Sequence, residues 1–400
     1  SIDAVKKFVA DRDLNAQTRY IPPIQSMKRY GRFDGRKVAV IGAGPAGLSC
    51  AYYLAQMGYF PTMFERNPLP GGMLRYGIPK YKLEKDVVDA EIAVLREMGV
   101  EIRCGVEIGR DLSIQALRDE GYEGFYLAIG AQAGAKLAIP GEELKGVFSG
   151  VDFLHALAED SAPALGRTVI VVGGGNVALD VARSAKRLGA EKVTVVYRRT
   201  REEMPAEAIE IEEAAAEKVE FRFLAAPVEA LGTDGAVSAL RVELMELGEP
   251  DGKGRRKPVG TGKFEELPAD AVIAAIGQKV ELGGIAPEAM EFNKNGTVKA
   301  AELTCQTAQR DIFAGGDVLT GPKFVIDAIA AGKEASISIH RYVHEGQTLT
   351  LGRDRRSYKE LDKSTAAVSV GGFDDTPRQT PANATAAKAK KTFRDLRGTF

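Results

Sequence analysis

Two short β-branched runs, Lys37 to Ile41 and Thr168 to Val172, each break into a glycine cluster and then into a helical pattern. The first cluster reads Gly42-Ala43-Gly44-Pro45-Ala46-Gly47 and the second Gly173-Gly174-Gly175-Asn176-Val177-Ala178. In such a unit the first glycine takes a tight turn and the second lets backbone N–H groups approach a pyrophosphate. The third small residue lets helix and strand pack closely. The helix N-terminus adds unpaired N–H groups and a favourable dipole. Two such units predict two dinucleotides, and two dinucleotides on one chain predict electron passage between them.

Four hundred residues leave room for two or three domains. The 44 glycines suit the many tight turns of an α/β protein. A formal net charge of −1 argues against a nucleic-acid groove or a basic membrane face. The sequence contains no apolar run long enough to span a bilayer and does not open on a signal-peptide pattern, so the expectation is a cytoplasmic protein without membrane insertion. Cys50, Cys104 and Cys305 form no C-x-x-C pair and are too few to ligate an iron–sulfur cluster; they are read as inert thiols. No metal site is expected.

The predicted fold class is α/β, with two nested Rossmann-like dinucleotide-binding domains. Residues 1–34 form a lead-in segment. A first domain over 35–150 is interrupted by a second over 151–300 and completed by 301–345. Within the second, strand-like runs stand at 219–224, 238–246 and 271–276. Residues 346–400 lack apolar content and are expected to form an extended or disordered arm.

The first site suits FAD. Gly42, Ala43, Gly44, Pro45 and Ala46 would cradle the pyrophosphate, and Glu65, ending the second strand with Arg66 beside it, would accept ribose hydroxyls. An exposed strand-end glutamate is the alternative. Gly72, Met73 and Leu74 belong to a turn-rich loop able to wrap an extended cofactor. Ala128, Ile129 and Gly130 end a strand that can pass beside an adenosine. Gly316 and Asp317 end another; Asp317 either contacts the ribityl or phosphate groups or caps the next helix. That helix begins near Phe324 and Val325, and its positive end would stabilise charge on a reduced flavin.

The second site suits NADP(H). Gly173, Gly174, Gly175, Asn176 and Val177 repeat the phosphate turn, but its second strand ends in Arg198, Arg199 and Arg201 instead of an acid. A carboxylate there would repel a 2′-phosphate, whereas guanidinium groups bind it in a bidentate fork. A solvated basic patch is the alternative. The histidines His155, His340 and His344 lie outside both fingerprints and are read as structural or surface residues.

The order of these pieces, and the run Gly71-Gly72-Met73-Leu74-Arg75-Tyr76-Gly77-Ile78-Pro79, resembles the FAD/NADPH module of the glutamate synthase small subunit family. The same module occurs in the large subunit of NADH-dependent ferredoxin:NADP reductase and in dihydropyrimidine dehydrogenase. The resemblance covers about residues 1–345. It implies that Ala275, Ile276 and Gly277 lie beside the nicotinamide and flavin, and that Met204-Pro205-Ala206 continues the basic segment. The family usually continues its flavin loop with Arg-Leu-Pro-Lys; here Lys82-Leu83-Glu84-Lys85 stands instead, and Lys82 is carried over as a flavin-side residue.

The resemblance further implies hydride transfer between NADPH and FAD, with electrons exchanged with iron–sulfur clusters in flanking regions or ferredoxin-like partner subunits. An electron-bifurcating flavin subunit is a sharper form of the same expectation. An NADPH dehydrogenase with a small-molecule acceptor and a structural subunit without turnover are the alternatives. Because the chain opens with Ser, and Phe393 to Arg397 resembles a linker, a section of a larger polypeptide or assembly is expected.

Overall fold

The computed structural model describes residues 2–23, 36–250, 252, 256–285, 290–344, 346–353 and 392–393. Helix α1 (Ile2–Leu14) leads in. The first module follows with β1 (Lys37–Ile41), α2 (Pro45–Gln56), β2 (Thr62–Glu65), α3 (Met73–Tyr76), α4 (Lys85–Glu97), β3 (Glu101–Cys104), α5 (Ile114–Asp119) and β4 (Tyr122–Leu127). After β5 (Ala133–Gly134) come β6 (Val147–Ser149), α6 (Gly150–Ala158), β7 (Thr168–Val172), α7 (Asn176–Arg187), β8 (Lys192–Tyr197), α8 (Ala208–Ala216) and β9 (Glu220–Phe223). Strands β10 (Ala225–Thr233), β11 (Ala236–Pro250), β12 (Arg256–Pro268), β13 (Ala271–Ala274) and β14 (Gln278–Lys279) precede β15 (Ile312–Ala314), α9 (Asp317–Thr320) and α10 (Val325–Tyr342).

Two five-stranded sheets carry the architecture, ordered β15-β4-β1-β2-β3 and β6-β13-β7-β8-β9. Every pairing within them is parallel. The strands β1 and β7 are almost wholly apolar and buried, as parallel strands covered on both faces must be. Each is the central strand of its sheet and leads directly into its glycine turn. The chain leaves β1 toward β2 on one side while β4 lies on the other, and β7 stands likewise between β8 and β13. This is the switch point at which ligands of open α/β sheets bind. The expected nested α/β architecture is present.

Two backbone positions show why glycine is required. Gly42 has φ +102° and a Cβ there would lie 2.5 Å from the Ala128 carbonyl oxygen. Gly173 has φ +146° and a Cβ would lie 2.2 Å from that of Ala275. The two modules therefore use the same close approach of turn to neighbouring strand.

The two-stranded antiparallel ribbon β5–β14 carries the chain into the inner module and back again. The chain thus passes between the two sheets near residues 134 and 278. Beyond the ribbon, Leu282, Ile285, Met290 and Val298 join the core around Ile41, Phe125 and Ile312 of the outer sheet. Among its described residues this stretch contains no named strand or helix, so no periodicity marked its allegiance. The inner module also carries an antiparallel sheet, β10-β11-β12, of which only the middle strand follows the expected run. Strand β12 is largely exposed and rich in Lys, Gly and Glu, so it lacks the alternation that reveals a strand. Most of the arm expected at 346–400, and residues 24–34 of the lead-in, lie outside the described residues.

Helix α10 closes the outer module by packing on α2, around Leu54, Tyr126, Phe313 and Ile339. Beside that contact the Tyr59 hydroxyl lies 2.9 Å from His340 Nδ1. Burial, reinforced by His344 and Arg341, pushes the His340 imidazole down from 6.5 to about 4. The native state therefore binds fewer protons than the unfolded chain across that window, and stability is lost as pH falls through it. The thermal midpoint is expected to fall more steeply between pH 6.5 and 4 in the wild type than in His340→Gln. Parallel curves would contradict this.

Candidate cofactor sites

The first glycine turn is braced from behind. Glu65, only 3% exposed, accepts a hydrogen bond from Ala43 N–H at 2.8 Å and another from Asn67 N–H at 2.9 Å. A carboxylate has about four lone-pair sites, so acceptor capacity is left for ribose hydroxyls. A cavity of about 120 Å³ opens beside it, lined by Gly42, Glu65, Arg66, Ile129 and Gln132, with Ile108 and Leu282 among its apolar walls. Arg66 donates to Gln132 Oε1 at 3.1 Å across this space. Ala128 passes against Gly42, and Gly130 turns the chain away with φ +71°.

Gly44 and Gly72 face one another; the nearest atom to a Cβ on Gly44 would be Gly72 Cα at 3.7 Å. Gly71 N–H donates to Ala43 O at 2.8 Å, so the loop containing Gly72, Met73 and Leu74 closes onto the phosphate turn. Pro45 and Ala46 open α2 at this point, and Ala46 packs against Gly316. Asp317, whose carboxyl is pushed up by burial, accepts from Lys323 N–H at 3.2 Å and so steadies the approach to α10. The carboxylate at the N-terminus of α10 is instead Asp327, which accepts from Phe324 N–H at 3.2 Å. Phe324 and Val325 then present the N-terminus of α10, whose first N–H groups have no partner within the helix.

Two lysines near this loop make different contacts. The Lys82 ammonium lies 2.7 Å from Asp180 Oδ1 and 2.9 Å from Glu210 Oε1, both on the inner module. Lys85, which the sequence did not single out, donates to Leu74 O at 2.7 Å and Ile78 O at 2.6 Å. It pins both sides of the loop. Burial, with Arg75 and Lys80 nearby, pushes its ammonium down to about 8. Hydrogen bonds to a charged donor are worth about 1.5–3 kcal/mol each. Lys85→Met is therefore expected to weaken FAD binding about 10- to 100-fold, read as the dissociation constant from flavin fluorescence. Lys82→Met is expected to leave that constant near wild type; equal losses would contradict the assignment.

The second turn lines a much larger cavity of about 1340 Å³. Gly173, Gly174, Gly175, Asn176 and Val177 form one wall with Arg198 and Arg199, and Ala275, Ile276 and Gly277 form another. Pro322, Lys323, Phe324 and Asp327 reach into it from the outer module. The two modules share one space. Arg199 Nε is buried without a hydrogen-bond partner among the described residues, an orphan donor suited to an anion. Arg198 is exposed at the rim, whereas Arg201 is exposed and not among the lining residues.

Several further residues support this site. The Tyr197 ring packs against Gly174, and its hydroxyl donates to Glu203 O at 2.8 Å. Ala206 N–H donates to Gly174 O, and Glu207 N–H to Asn176 Oδ1, so the Met204-Pro205-Ala206 segment buttresses the turn. Arg256, on the inserted sheet, pairs with the lining residue Glu203 at 2.9 Å. Only the folding of β12 brings it there.

An adenine dinucleotide with a 2′-phosphate fits what is present: an open glycine turn, an orphan guanidinium donor and a cavity of ample volume. FAD fits the paired glycines 44 and 72 and the carboxylate-braced turn. Cys50 and Cys305 are buried with thiols pushed up by burial, and Cys104 is pushed up by the same cause. None is an activated nucleophile. His155 stacks on Tyr76 and lies 3.4 Å from Glu159, while His340 and His344 sit in the α2–α10 contact. No helix among the described residues is long and apolar enough to cross a membrane.

Residues 36–332 match the family model of pyridine nucleotide-disulphide oxidoreductases. The chain is similar to the NADP(+)-dependent formate dehydrogenase subunit beta of Moorella thermoacetica, with 41% identity over 428 residues. That alignment spans 100% of this chain and 59% of the relative. It is also similar to the glutamate synthase [NADPH] small chain of Halomonas elongata, 41% identical over 358 residues, covering 86% of this chain and 74% of that one. Among solved structures, Mycobacterium tuberculosis FprA in complex with NADPH aligns with a TM-score of 0.67 at 22% identity, over 77% of this chain and 84% of that chain. That likeness shows the shared fold.

Proposed function

The chain belongs to the pyridine nucleotide-disulphide oxidoreductase family, together with the glutamate synthase small chains, and from that premise we propose that it is an FAD-containing, NADP(H)-dependent oxidoreductase feeding iron–sulfur partners. The observation that carries this is the shared cavity, with the inner module's phosphate turn and arginines on one wall and the outer module's Pro322 to Phe324 on another. When bound, the two cofactors supply the redox chemistry, a hydride exchanged between nicotinamide and isoalloxazine.

The chain's residues bind and orient. The turns at Gly44 and Gly175 offer N–H groups to the two pyrophosphates. Arg198 and Arg199 hold the 2′-phosphate, and Glu65 faces the ribose of the flavin nucleotide. Ile276 and Phe324 give the cavity apolar surface that limits water. The N-terminus of α10 opens on the shared cavity, where its positive end favours negative charge. No acid–base side chain is needed for hydride exchange, which agrees with the structural placement of the three histidines.

An iron–sulfur partner is supported by the family company this chain keeps and by the absence of an activated thiol for a dithiol route. The relatives are, by their printed names, a subunit beta and a small chain, and the chain spans 59% of the first. A cytoplasmic setting is part of the same proposal. The test is anaerobic reduction of a low-potential ferredoxin by NADPH through the FAD-loaded protein. Ferredoxin bleaching that small quinone acceptors do not outcompete is expected. Reduction of quinones alone would contradict the proposal in favour of a dehydrogenase with a small acceptor.

A further inference from the structure

The loop that wraps the outer site continues along the inner module and is fastened to it repeatedly. Tyr76 stacks on His155 of α6 with ring centroids 4.5 Å apart, and Lys80 pairs with Asp160 at 3.0 Å. Tyr81 is buried beneath the Arg187 guanidinium, 3.8 Å from its ring centroid. The better-shielded of the loop's ion pairs to the inner module come next: Lys82, 17% exposed, lies between Asp180 at 10% and Glu210 at 17%.

The partners of Lys82 sit where they matter. Asp180 is one helical turn beyond Asn176, the first residue of α7 and part of the dinucleotide turn. Glu210, on α8, is also held by Arg183 at 2.9 Å, which in turn bonds Glu217. On the other side, Lys82 N–H donates to Pro79 O, in the segment that starts at Gly72 opposite Gly44. One ammonium therefore joins the two phosphate turns through two short, rigid connections.

Resting on the NADP(H) reading, we propose that Lys82, with Asp180 and Glu210, is a positioning residue that locks the inner module's dinucleotide turn in register with the outer module's flavin loop. The lock sets how the walls of the shared cavity face each other. Without the ammonium, two shielded carboxylates lose their common cation, and burial already disfavours ionised Asp180, pushing its carboxyl up to about 6. The remaining contacts of Tyr76, Lys80 and Tyr81 then hold the modules less tightly against a shift about the β5–β14 ribbon. Each module's own core is untouched, so the loss falls on the alignment of the sites, where misplacement by about 1 Å costs on the order of a hundredfold in rate.

The experiment places nitroxide labels on exposed Glu97 of the outer module and Lys192 of the inner one in FAD-loaded protein, with Cys104→Ser as background. Pulsed dipolar spectroscopy is expected to give one narrow distance in wild type and a broadened or shifted one in Lys82→Met. Flavin reduction by NADPH should slow about a hundredfold while the NADP+ dissociation constant, from calorimetry, changes less than about threefold. The reversed pair K82D/D180K should recover the narrow distance. Should Lys82→Met fail to fold, the near-isosteric Asp180→Asn provides the same comparison. Narrow, unshifted distances with wild-type reduction rates in both single variants would overturn the lock. If NADPH fails to reduce even the wild type, the functional reading falls, and the distance distributions alone decide whether the lock exists.

Discussion

Replacing Gly175 with valine is expected to abolish NADP(H) binding while leaving the protein folded and loaded with FAD. Gly175 has φ −92° and ψ 176°, an extended conformation open to β-branched residues. The nearest atom to its added Cβ is Pro205 Cγ at 4.0 Å, so the protein itself has room. The new side chain occupies the space through which a pyrophosphate must approach the N–H groups of the turn. Valine is also a poorer N-cap than glycine, at a cost of about 1 kcal/mol, too little to unfold a domain of this size. The expected result is a rise of more than about a hundredfold in the NADP+ dissociation constant, equivalent to about 3 kcal/mol, with FAD content unchanged. Gly173→Ala is the contrasting variant: its Cβ would meet the Ala275 carbonyl at 2.2 Å, so it should damage the fold itself.

The second large effect concerns nucleotide choice. Arg199→Ala is expected to weaken NADPH binding about 10- to 100-fold while NADH binding changes little, since one charge-assisted contact to phosphate is worth about 1.5–3 kcal/mol. The unpartnered, buried Nε makes Arg199 the stronger anchor, and Arg198, exposed at the rim, the weaker. The double variant should lose on the order of a thousandfold for NADPH, nearing parity between the two nucleotides. Arg201→Ala should have almost no effect, because Arg201 does not line the cavity. The ratio of NADPH to NADH dissociation constants is the measurement. A preference retained in the double variant would place the 2′-phosphate elsewhere.

How much of this was legible beforehand follows from the range over which each signal acts. Strand, glycine turn and helix are local, so both phosphate turns, Glu65 and the basic strand end could be read directly. The repeat of the unit made the nested architecture readable as well. Residues whose role depends on distant chain could not be read this way. Lys82 and Lys85 are two charges on one short loop, and nothing local says which faces the inner module's acids and which turns under the loop. Burial decides it, by bringing Asp180 and Glu210 to one and the carbonyls of Leu74 and Ile78 to the other. Arg256 reaches Glu203 only because β12 pairs with β11. The same holds for Leu282, Ile285, Met290 and Val298: they follow no period, and only their packing against Ile41 and Phe125 reveals which core they complete.

The central claim is that a 2′-phosphorylated dinucleotide held by the inner module meets the flavin of the outer one across their shared cavity. Anaerobic titration of the FAD-loaded protein with NADPH and with NADH, followed by the visible absorbance of the flavin, tests it most directly. Near-stoichiometric bleaching by NADPH, with NADH needing concentrations higher by about a hundredfold or more, is the expected result. A flavin that neither nucleotide bleaches, or that both bleach equally well, would contradict it.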